Sequence, residues 1–254
     1  PHFEKTLYDN ALLALAYTEA WQDGHLALYR EVAESTLDYC LRELRSEEGG
    51  FFCGQDADSG GVEGAYYLFT PDELRAVLGE DEGRHFCECY DIRPEGNFGG
   101  RSIPNLLLNN RWSLLPEGYG ELRAKLREYR AQRLPLRTDT KILTGWNGLL
   151  LMALARAARA FDSSRYLAAA DALAKFLAEK DGGGALTACR ISGVNSVPAQ
   201  LDDCAFYALG LFGMATTTEH LPFLLTTGVT IGLAQACCTY SVIYGIIGRN
   251  ISAQ

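Results

Sequence analysis

The sequence predicts an all-α fold with short β-hairpin elaborations, in which pairs of helices form part of an α/α toroid. The first observation is that three stretches share one pattern: a polar pair stands at the start of a helix that is apolar nearly all round. Such a helix is expected to be buried on every side. The stretches are residues 7–20, 143–160 and 201–215, and their polar pairs are Asp9-Asn10, Trp146-Asn147 and Asp202-Asp203.

The second observation is that an amphipathic helix follows the first two of these stretches. Residues 25–44 and 163–180 carry apolar side chains at the i, i+3, i+4, i+7 spacing of a helix with one solvent-facing side. Repeated helical pairs that cannot bury themselves alone stack or close into a ring. We therefore expect an inner ring of buried helices, with their polar starts on one rim, inside an outer ring of amphipathic helices.

Residues 49–141 are expected to be an elaboration inserted between two helical pairs on the rim side. The segment begins with several glycines and has aromatic, strand-like pieces at residues 51–52 and 65–69. We expect residues 84–110 to be irregular and residues 119–133 to form a polar helix.

A helix start stands out within this insertion. Thr70 is followed by Pro71 and, three positions after the threonine, by Glu73. A threonine cap, a proline in the first turn and a glutamate three residues on are the pattern of a capping box. The pattern predicts a short helix after Thr70.

The end of the chain departs from the helical-pair pattern. Residues 221–248 contain no charged side chain, so the third buried stretch lacks its amphipathic partner. A run of this length satisfies the length test for a membrane span, although threonines and glycines dilute it. Three interpretations stay open: a buried helical hairpin, a tail anchor, or foreign sequence joined by a reading-frame or splicing event. We treat residues 1–214 as the helical domain and residues 215–254 as a divergent tail.

Composition narrows the class of partner. The 254 residues are 48% hydrophobic and carry a net charge of -9, which suits a globular protein and disfavours nucleic acid and acidic membranes. We expect the eight cysteines to be reduced and the location to be cytoplasmic, because a chain this long needs no disulfide framework. The sequence begins without methionine, so we expect a fragment or a chain trimmed at its N-terminus. No signal peptide is visible, although a missing N-terminus could have carried one.

Six motifs in a fixed order carry a resemblance. They lie at residues 1–11 (PHFEKTLYDNA), 49–59 (GGFFCGQDADS), 63–74 (EGAYYLFTPDEL), 96–100 (GNFGG), 139–155 (DTKILTGWNGLLLMALA) and 201–211 (LDDCAFYALGL). Over about residues 1–214 the chain resembles the spermatogenesis-associated protein 20 family, whose bacterial members are described as thioredoxin-domain-containing proteins. The resemblance implies a six-hairpin, glycosidase-like (α/α)6 toroid preceded by a thioredoxin-like domain. That domain and the later hairpins are missing from this sequence, so we expect a partial toroid that is inactive or prone to aggregation.

Acidic residues cluster at the predicted rim. Glycoside hydrolysis needs two carboxylates flanking one bond, one as acid and one as base or nucleophile. The candidate catalytic residues are Asp56, Asp58, Glu63, Asp139, Asp202 and Asp203. The candidate substrate-binding residues are His2, Glu4, Asp9, Lys141, Trp146, Asn147 and Tyr66. No cofactor or metal is expected, since the cysteines and histidine at residues 85–89 match no zinc spacing.

Seven of the candidates also have a purely structural interpretation. Asp9, Asp202 and Asp203 stand where helix caps are favourable. Asp56, Asp58 and Glu63 suit a turn locked by hydrogen bonds, and a calcium loop is disfavoured because the further ligand spacing is lacking. Lys141 is placed to form a salt bridge with a rim carboxylate.

Two functions therefore follow from the sequence. The first is a carbohydrate-active or carbohydrate-binding toroid domain that hydrolyses or isomerises a sugar at its rim. The alternative is a non-enzymatic scaffold or sensor that accompanies a thioredoxin-like domain. An enzyme is expected to hold two carboxyl groups about 5 to 10 Å apart beside an aromatic surface. A scaffold is expected to engage the same acids in caps and salt bridges.

Overall fold

A computed structural model describes residues 3–109, 118–182 and 184–217. The helices are α1 (Leu7–Gly24), α2 (Ala27–Tyr39), α3 (Pro71–Leu78), α4 (Glu80–Cys89), α5 (Tyr119–Ala131), α6 (Thr144–Phe161), α7 (Ser164–Glu179) and α8 (Leu201–Thr217). The strands are β1 (Lys5–Thr6), β2 (Gly54–Gln55), β3 (Asp58–Ser59), β4 (Val62–Glu63), β5 (Thr138–Asp139), β6 (Ile142–Leu143), β7 (Thr187–Ile191) and β8 (Val194–Pro198). Helices account for 57% of the described structure, so the predicted helical class with small β elements is confirmed.

The chain divides into two compact units. The first contains Pro1–Lys5 and Gln55–Arg137, and the second contains Thr6–Gly54 and Thr138–Gln254. The second unit is thus built from two segments that are distant in the sequence. Most of the first unit lies within residues 49–141, the predicted insertion.

In the second unit, α6 lies between α1 and α8. The sequence prediction of a helix buried all round is confirmed for α6, where Asn147, Leu150 and Leu154 are fully buried. It is wrong for α1 and α8, because each packs against α6 with one face only. Leu13 of α1 is 52% exposed and Phe212 of α8 is 57% exposed. Periodicity reports that a side chain is apolar but does not report whether a neighbour covers it.

Side-chain contacts show that α1 and α6 run parallel. The rings of Tyr8 and Trp146 meet at the N-terminal ends of the two helices, with centroids 4.7 Å apart. The rings of Trp21 and Phe161 meet at the C-terminal ends, with centroids 5.2 Å apart. The starts of α1 and α6 therefore lie at the same end of the second unit.

Helix α8 runs parallel to α6 as well. At the N-terminal ends, the backbone N–H of Gly145 donates to Asp203 Oδ1 at 3.1 Å. At the C-terminal ends, Arg159 Nη1 donates to the carbonyl of Thr216 at 3.0 Å. Glycine permits the close approach between the two helices, since a Cβ at Gly148 would lie 2.6 Å from the backbone of Phe206 in α8.

Helices α2 and α7 have the one-sided burial predicted for the outer helices. Helix α2 buries Ala33 and Leu37, and a short π-helix, Cys40–Leu44, follows it. Helix α7 begins where the Ser163 side chain accepts a hydrogen bond from the N–H of Tyr166, and Leu173 is one of its fully buried residues. The amphipathic prediction is confirmed for both helices.

The first unit has its own small core. Phe86, Tyr90 and Tyr119 stack between α4 and α5, and the Phe86 and Tyr90 centroids are 4.4 Å apart. Thr70 and Glu73 form the predicted capping box at the start of α3, which confirms that prediction. Residues 80–89 form α4, so the prediction of irregular structure from residue 84 is wrong up to residue 89.

The predicted strand at residues 65–69 is also wrong. Residues 64–67 form a turn, and only Phe69 takes part in an isolated bridge, with Ser102. The physical reason is that Arg133 Nη1 donates to the carbonyls of Ala65, Tyr66 and Leu68, at 2.8 to 3.1 Å, and holds them in one turn. A local pattern of aromatic residues carries no information about a partner so far away in the sequence.

Glu73 is the carboxylate that balances two of the arginines around this turn. It accepts hydrogen bonds from Arg101 Nη2 at 2.6 Å and Arg133 Nη2 at 3.3 Å. Burial by itself would raise the pKa of Glu73, but the hydrogen bonds from Arg101 and Thr70 and the charges of the two arginines lower it. Glu73 is therefore ionised in the folded protein.

The last two sequence predictions concern a membrane span and the state of the cysteines. Across the described ranges, no helix is both long and apolar enough to cross a bilayer. The uncharged run at residues 221–248 lies outside the described residues. The six cysteines that the structure describes are free thiols, and Cys40 is fully buried.

Candidate functional site

The candidate site lies at the N-terminal end of α1, α6 and α8 in the second unit. Tyr8 and Trp146 are both partly exposed there, and their rings are tilted at 56° to each other. Cys53 joins the start of α1 to the strand region before α6, because its carbonyl accepts from the N–H of Leu7 and its N–H donates to the carbonyl of Lys141. Three predicted rim segments are thereby brought to one place.

Asp203 binds two helix starts together. Its Oδ1 accepts from the N–H of Gly145 in α6, and its Oδ2 accepts from the N–H of Gln200 just before α8, at 3.0 Å. Each carboxylate oxygen of Asp203 therefore accepts one backbone hydrogen bond. Asp203 is therefore a positioning residue between the helices, and Asp202 beside it is exposed.

Asp9 completes the cap of α1. The N-cap is Thr6, whose hydroxyl donates to Asp9 Oδ2 at 2.6 Å and accepts from the N–H of Asp9 at 3.4 Å. Asp9 thus stands inside the first turn, where a negative charge suits the helix dipole.

Asn147 is fully buried and closes a backbone gap. Its Oδ1 accepts from the N–H of Phe51 at 2.8 Å, and its Nδ2 donates to the carbonyls of Phe51 at 3.0 Å and Leu143 at 2.8 Å. Both amide donors are used, and the side chain is fully buried, so a substrate in solvent cannot reach it. Its placement makes Asn147 a structural residue rather than a ligand contact.

Asp139 and Lys141 form an ion pair on the surface near the same helix ends. Lys141 Nζ lies 2.9 Å from Asp139 Oδ2, and both side chains are about half exposed, at 47% and 48%. The hydrogen bond and charge of Asp139 raise the pKa of Lys141. The salt-bridge interpretation of Lys141 matches this geometry.

The remaining candidates belong to the first unit. Asp58 and Glu63 are directly opposed across the β3–β4 hairpin, and both are exposed. Asp56 Oδ1 accepts from the N–H of Ala57 at 3.1 Å, which is a local turn contact. Glu4 is exposed, Tyr66 is half-buried, and His2 lies outside the described residues.

The structure therefore divides the predicted site residues between two units. The second unit brings together Asp9, Asp139, Lys141, Trp146, Asn147 and Asp203 at one set of helix ends, with Asp202 in the first turn of α8. The first unit holds Glu4, Asp56, Asp58, Glu63 and Tyr66.

Comparison with known proteins identifies the family. Spermatogenesis-associated protein 20 of Mus musculus is 33% identical over 211 residues, which cover 70% of this chain and 27% of the relative. The Homo sapiens protein of the same name is 31% identical with the same coverage. The chain belongs to the spermatogenesis-associated protein 20 family. It spans about a quarter of the length of these curated relatives, at 27%.

Three further findings come from these comparisons. An uncharacterized protein of Caenorhabditis elegans is 27% identical over 271 residues, covering 88% of this chain and 36% of that protein. No protein-family model matches the chain. A solved structure described as D-mannose isomerase aligns over 90% of this chain and 58% of its own, with 12% identity and a TM-score of 0.39.

In this member of the spermatogenesis-associated protein 20 family, sequence reasoning missed a buried ion pair beside the start of α6. The side chains of Lys180 and Asp181 are 0% and 7% exposed, with Nζ and Oδ2 3.0 Å apart. Lys180 Nζ and Asp181 both bond Thr187, and Asn195 Nδ2 donates to Asp181 Oδ1 at 2.9 Å. The network is satisfied and fixes β7 and β8 against the end of α7. Nothing in the sequence distinguishes this buried lysine–aspartate pair from a solvent-exposed pair at the end of a helix.

Sequence reasoning also missed Tyr8. The residue stands next to Asp9 in the first turn of α1, as Trp146 stands next to Asn147 in α6. An aromatic residue recurring beside the polar residue in two equivalent stretches is the signal that would have found it.

Proposed function

We propose that this chain is an arc of an α/α toroid that binds a carbohydrate at the N-terminal end of its inner helices. The support for the toroid is the arrangement of helices in the second unit. Three helices, α1, α6 and α8, run parallel side by side, and each of the first two is followed by an amphipathic helix, α2 or α7. Parallel inner helices with outer helices returning between them are the geometry that an α/α ring requires.

The observation that carries the ligand proposal is the Tyr8–Trp146 pair at the convergent helix starts. Sugar rings present an apolar face that packs on aromatic side chains, while their hydroxyls need polar partners. Asp139, Lys141 and Asp202 are exposed at the same helix ends or in the segment leading into them, and they can supply acceptors and a donor. An aromatic pair flanked by such groups is suited to a neutral, hydroxyl-rich ligand.

The second candidate function is a domain that binds the sugar without catalysing a reaction on it. The contacts of three carboxylates favour this function. Asp9, Asp139 and Asp203 are engaged by Thr6, by Lys141 and by backbone N–H groups respectively. A general acid needs a carboxyl group that is free to contact the substrate, and these contacts already occupy all three carboxyl groups. Hydrolysis or isomerisation therefore requires a carboxylate outside this engaged set.

The test is a titration of the chain with a panel of neutral sugars, followed by tryptophan fluorescence and calorimetry. The matched pair of variants is Trp146→Phe and Trp21→Phe, because both indoles pack between α1 and α6 but at opposite ends. We expect Trp146→Phe to weaken binding and to abolish the fluorescence change, while Trp21→Phe leaves both intact.

A second matched pair tests the polar group. Asp139→Asn removes a carboxylate from an exposed ion pair near the helix starts, and Asp171→Asn removes one from an exposed ion pair on α7, where Lys175 lies 2.7 Å away. We expect only Asp139→Asn to weaken sugar binding. Binding of no sugar by the chain, or equal loss in both variants, contradicts the proposal.

A further inference from the structure

A cluster of positive charges surrounds the turn that carries Tyr66 and Tyr67 in the first unit. Arg130 Cζ lies 5.0 Å from the centroid of each tyrosine ring. Lys5 Nζ lies 4.5 Å from the Tyr67 centroid and donates to the carbonyl of Phe3 at 2.9 Å. Two cations therefore share one aromatic ring.

The tyrosine that they share is held rigidly. The Phe3 ring is buried and stacks on Tyr67, with an interplanar angle of 10° and centroids 6.3 Å apart. Phe3 packs in turn on Gly64, where φ is +74° and an added Cβ would lie 2.6 Å from the ring. Arg133 also holds this turn, through hydrogen bonds to three of its carbonyls. Packing and hydrogen bonds therefore hold the turn that carries Tyr66 and Tyr67.

Glu73, the carboxylate beside this cluster, pairs with other arginines and not with Arg130. Glu73 bonds Arg101 and Arg133, both of which also donate to the carbonyl of Leu68 in the turn. Arg130 forms no ion pair with a carboxylate among the described residues, and its Nε is buried without a hydrogen-bond partner there. Leaving a charged donor buried and unpaired is costly.

The effect of the neighbouring charges is visible at Lys5. Burial and the positive charge of Arg130 lower the pKa of Lys5 to about 8. Both causes disfavour the ammonium ion, and a bound negative charge reverses the second of them.

We infer that Lys5 and Arg130 form a binding site for an oxyanion, a phosphate or carboxylate group, beside the Tyr66–Tyr67 turn. The guanidinium offers paired N–H donors that match the oxygens of either group, and the ammonium adds a second point of charge. The site belongs to the first unit and is independent of the sugar proposal for the second unit.

The experiment is calorimetric titration of the chain at matched ionic strength with four probes: inorganic phosphate, glucose 6-phosphate, glucuronate and glucose. We expect the charged probes to bind and glucose not to bind at this site. Tightest binding of inorganic phosphate or glucose 6-phosphate identifies a phosphate ligand, and tightest binding of glucuronate identifies a carboxylate ligand. All three of these outcomes support the inference.

The decisive variant is Arg130→Gln, with Arg127→Gln as its matched control because Arg127 is an exposed arginine on the same helix. Loss of a charge-assisted bidentate contact is expected to weaken binding by about tenfold or more. The control is expected to bind as the unaltered chain does. Circular dichroism checks that both variants fold. If Arg130→Gln does not fold, the affinity of Lys5→Gln for the same probes is measured instead.

Two results overturn the inference. One is that no charged probe binds more tightly than chloride at matched ionic strength. The other is that Arg130→Gln or Lys5→Gln, correctly folded, binds the probes as tightly as Arg127→Gln. The Trp146→Phe variant is expected to keep anion binding, so failure of the sugar proposal and failure of this inference are distinguishable.

Discussion

Replacing Asn147 by leucine tests the buried contact between α6 and the backbone of Phe51. Arg45 and Phe51 form an antiparallel bridge, and its hydrogen bonds come from the flanking pairs, Phe52 N–H to Leu44 and Ser46 N–H to Gly50. The N–H and C=O of Phe51 therefore point away from Arg45. Both are met by the side-chain amide of Asn147, 96 positions along the chain.

The expected loss can be worked from these contacts. Leucine is close to asparagine in size, so packing is nearly conserved, but the N–H and C=O of Phe51 lose their partners. Phe51 is 2% exposed, and solvent cannot replace the amide. Each buried, unsatisfied group costs about 1 to 3 kcal/mol, so Asn147→Leu is expected to lower the free energy of unfolding by about 2 to 6 kcal/mol. That is a large share of the total stability of a typical domain, about 5 to 15 kcal/mol.

The assay is urea denaturation followed by far-UV circular dichroism, with the m value checked for two-state behaviour. The control is Thr18→Val, which removes a buried hydroxyl that donates only to the carbonyl of Ala14 in its own helix. That carbonyl keeps its helical hydrogen bond, so the control is expected to cost about 1 kcal/mol or less. Equal midpoints for the two variants would refute the reasoning about Phe51.

Three further predictions follow from single contacts. Gly148→Ala, whose Cβ would lie 2.6 Å from the α8 backbone, is expected to destabilise the chain by about 1 to 3 kcal/mol in the same assay, whereas Gly120→Ala, with open space around it, is expected to be neutral or stabilising. The pKa of Glu73 is lowered on folding, so its stabilising effect is full above its ordinary pKa and is lost as pH falls through the folded value. Unfolding midpoints measured from about pH 6 to pH 3 should therefore fall less steeply for Glu73→Gln than for the exposed-residue control Glu128→Gln. Burial raises the pKa of Cys40 to about 12, so mass spectrometry is expected to find this thiol alkylated at about pH 8 only after denaturation, and rapid labelling in the native chain would contradict its placement.

Much of the local structure could be predicted because local rules govern it. The capping box at Thr70 and Glu73 depends on residues three positions apart, and the structure contains it. The amphipathic stripe of α7 and the continuous apolar run of α6 likewise depend on spacing alone. These elements were predictable because no distant residue is needed to explain them.

The failures share one physical cause, which is contact between residues far apart in the sequence. Leu13 and Phe212 are as apolar as the side chains of α6, yet their faces are exposed because α6 covers only one side of each helix. The 65–69 segment has aromatic residues typical of a strand, but Arg133 holds it as a turn. Neither result can be read from the segment itself.

The candidate site shows the same division. The sequence predicts acidic residues at helix starts, but it could not tell that Asp203 would accept hydrogen bonds from two backbone N–H groups. Nor could it place Lys5 near Arg130, which is 125 positions away and contacts the same Tyr67 ring. The residue types were visible, whereas their partners were set by the fold.

The divided second unit has a consequence for synthesis on the ribosome. Its first segment, Thr6–Gly54, must wait for Thr138 and the residues after it before α6 can cover α1. At a translation rate of about 5 to 20 residues per second, α1 and α2 stay without their central neighbour for about 5 to 20 seconds. Chaperone binding to nascent chains stalled before residue 138 should therefore exceed that to chains stalled after residue 217.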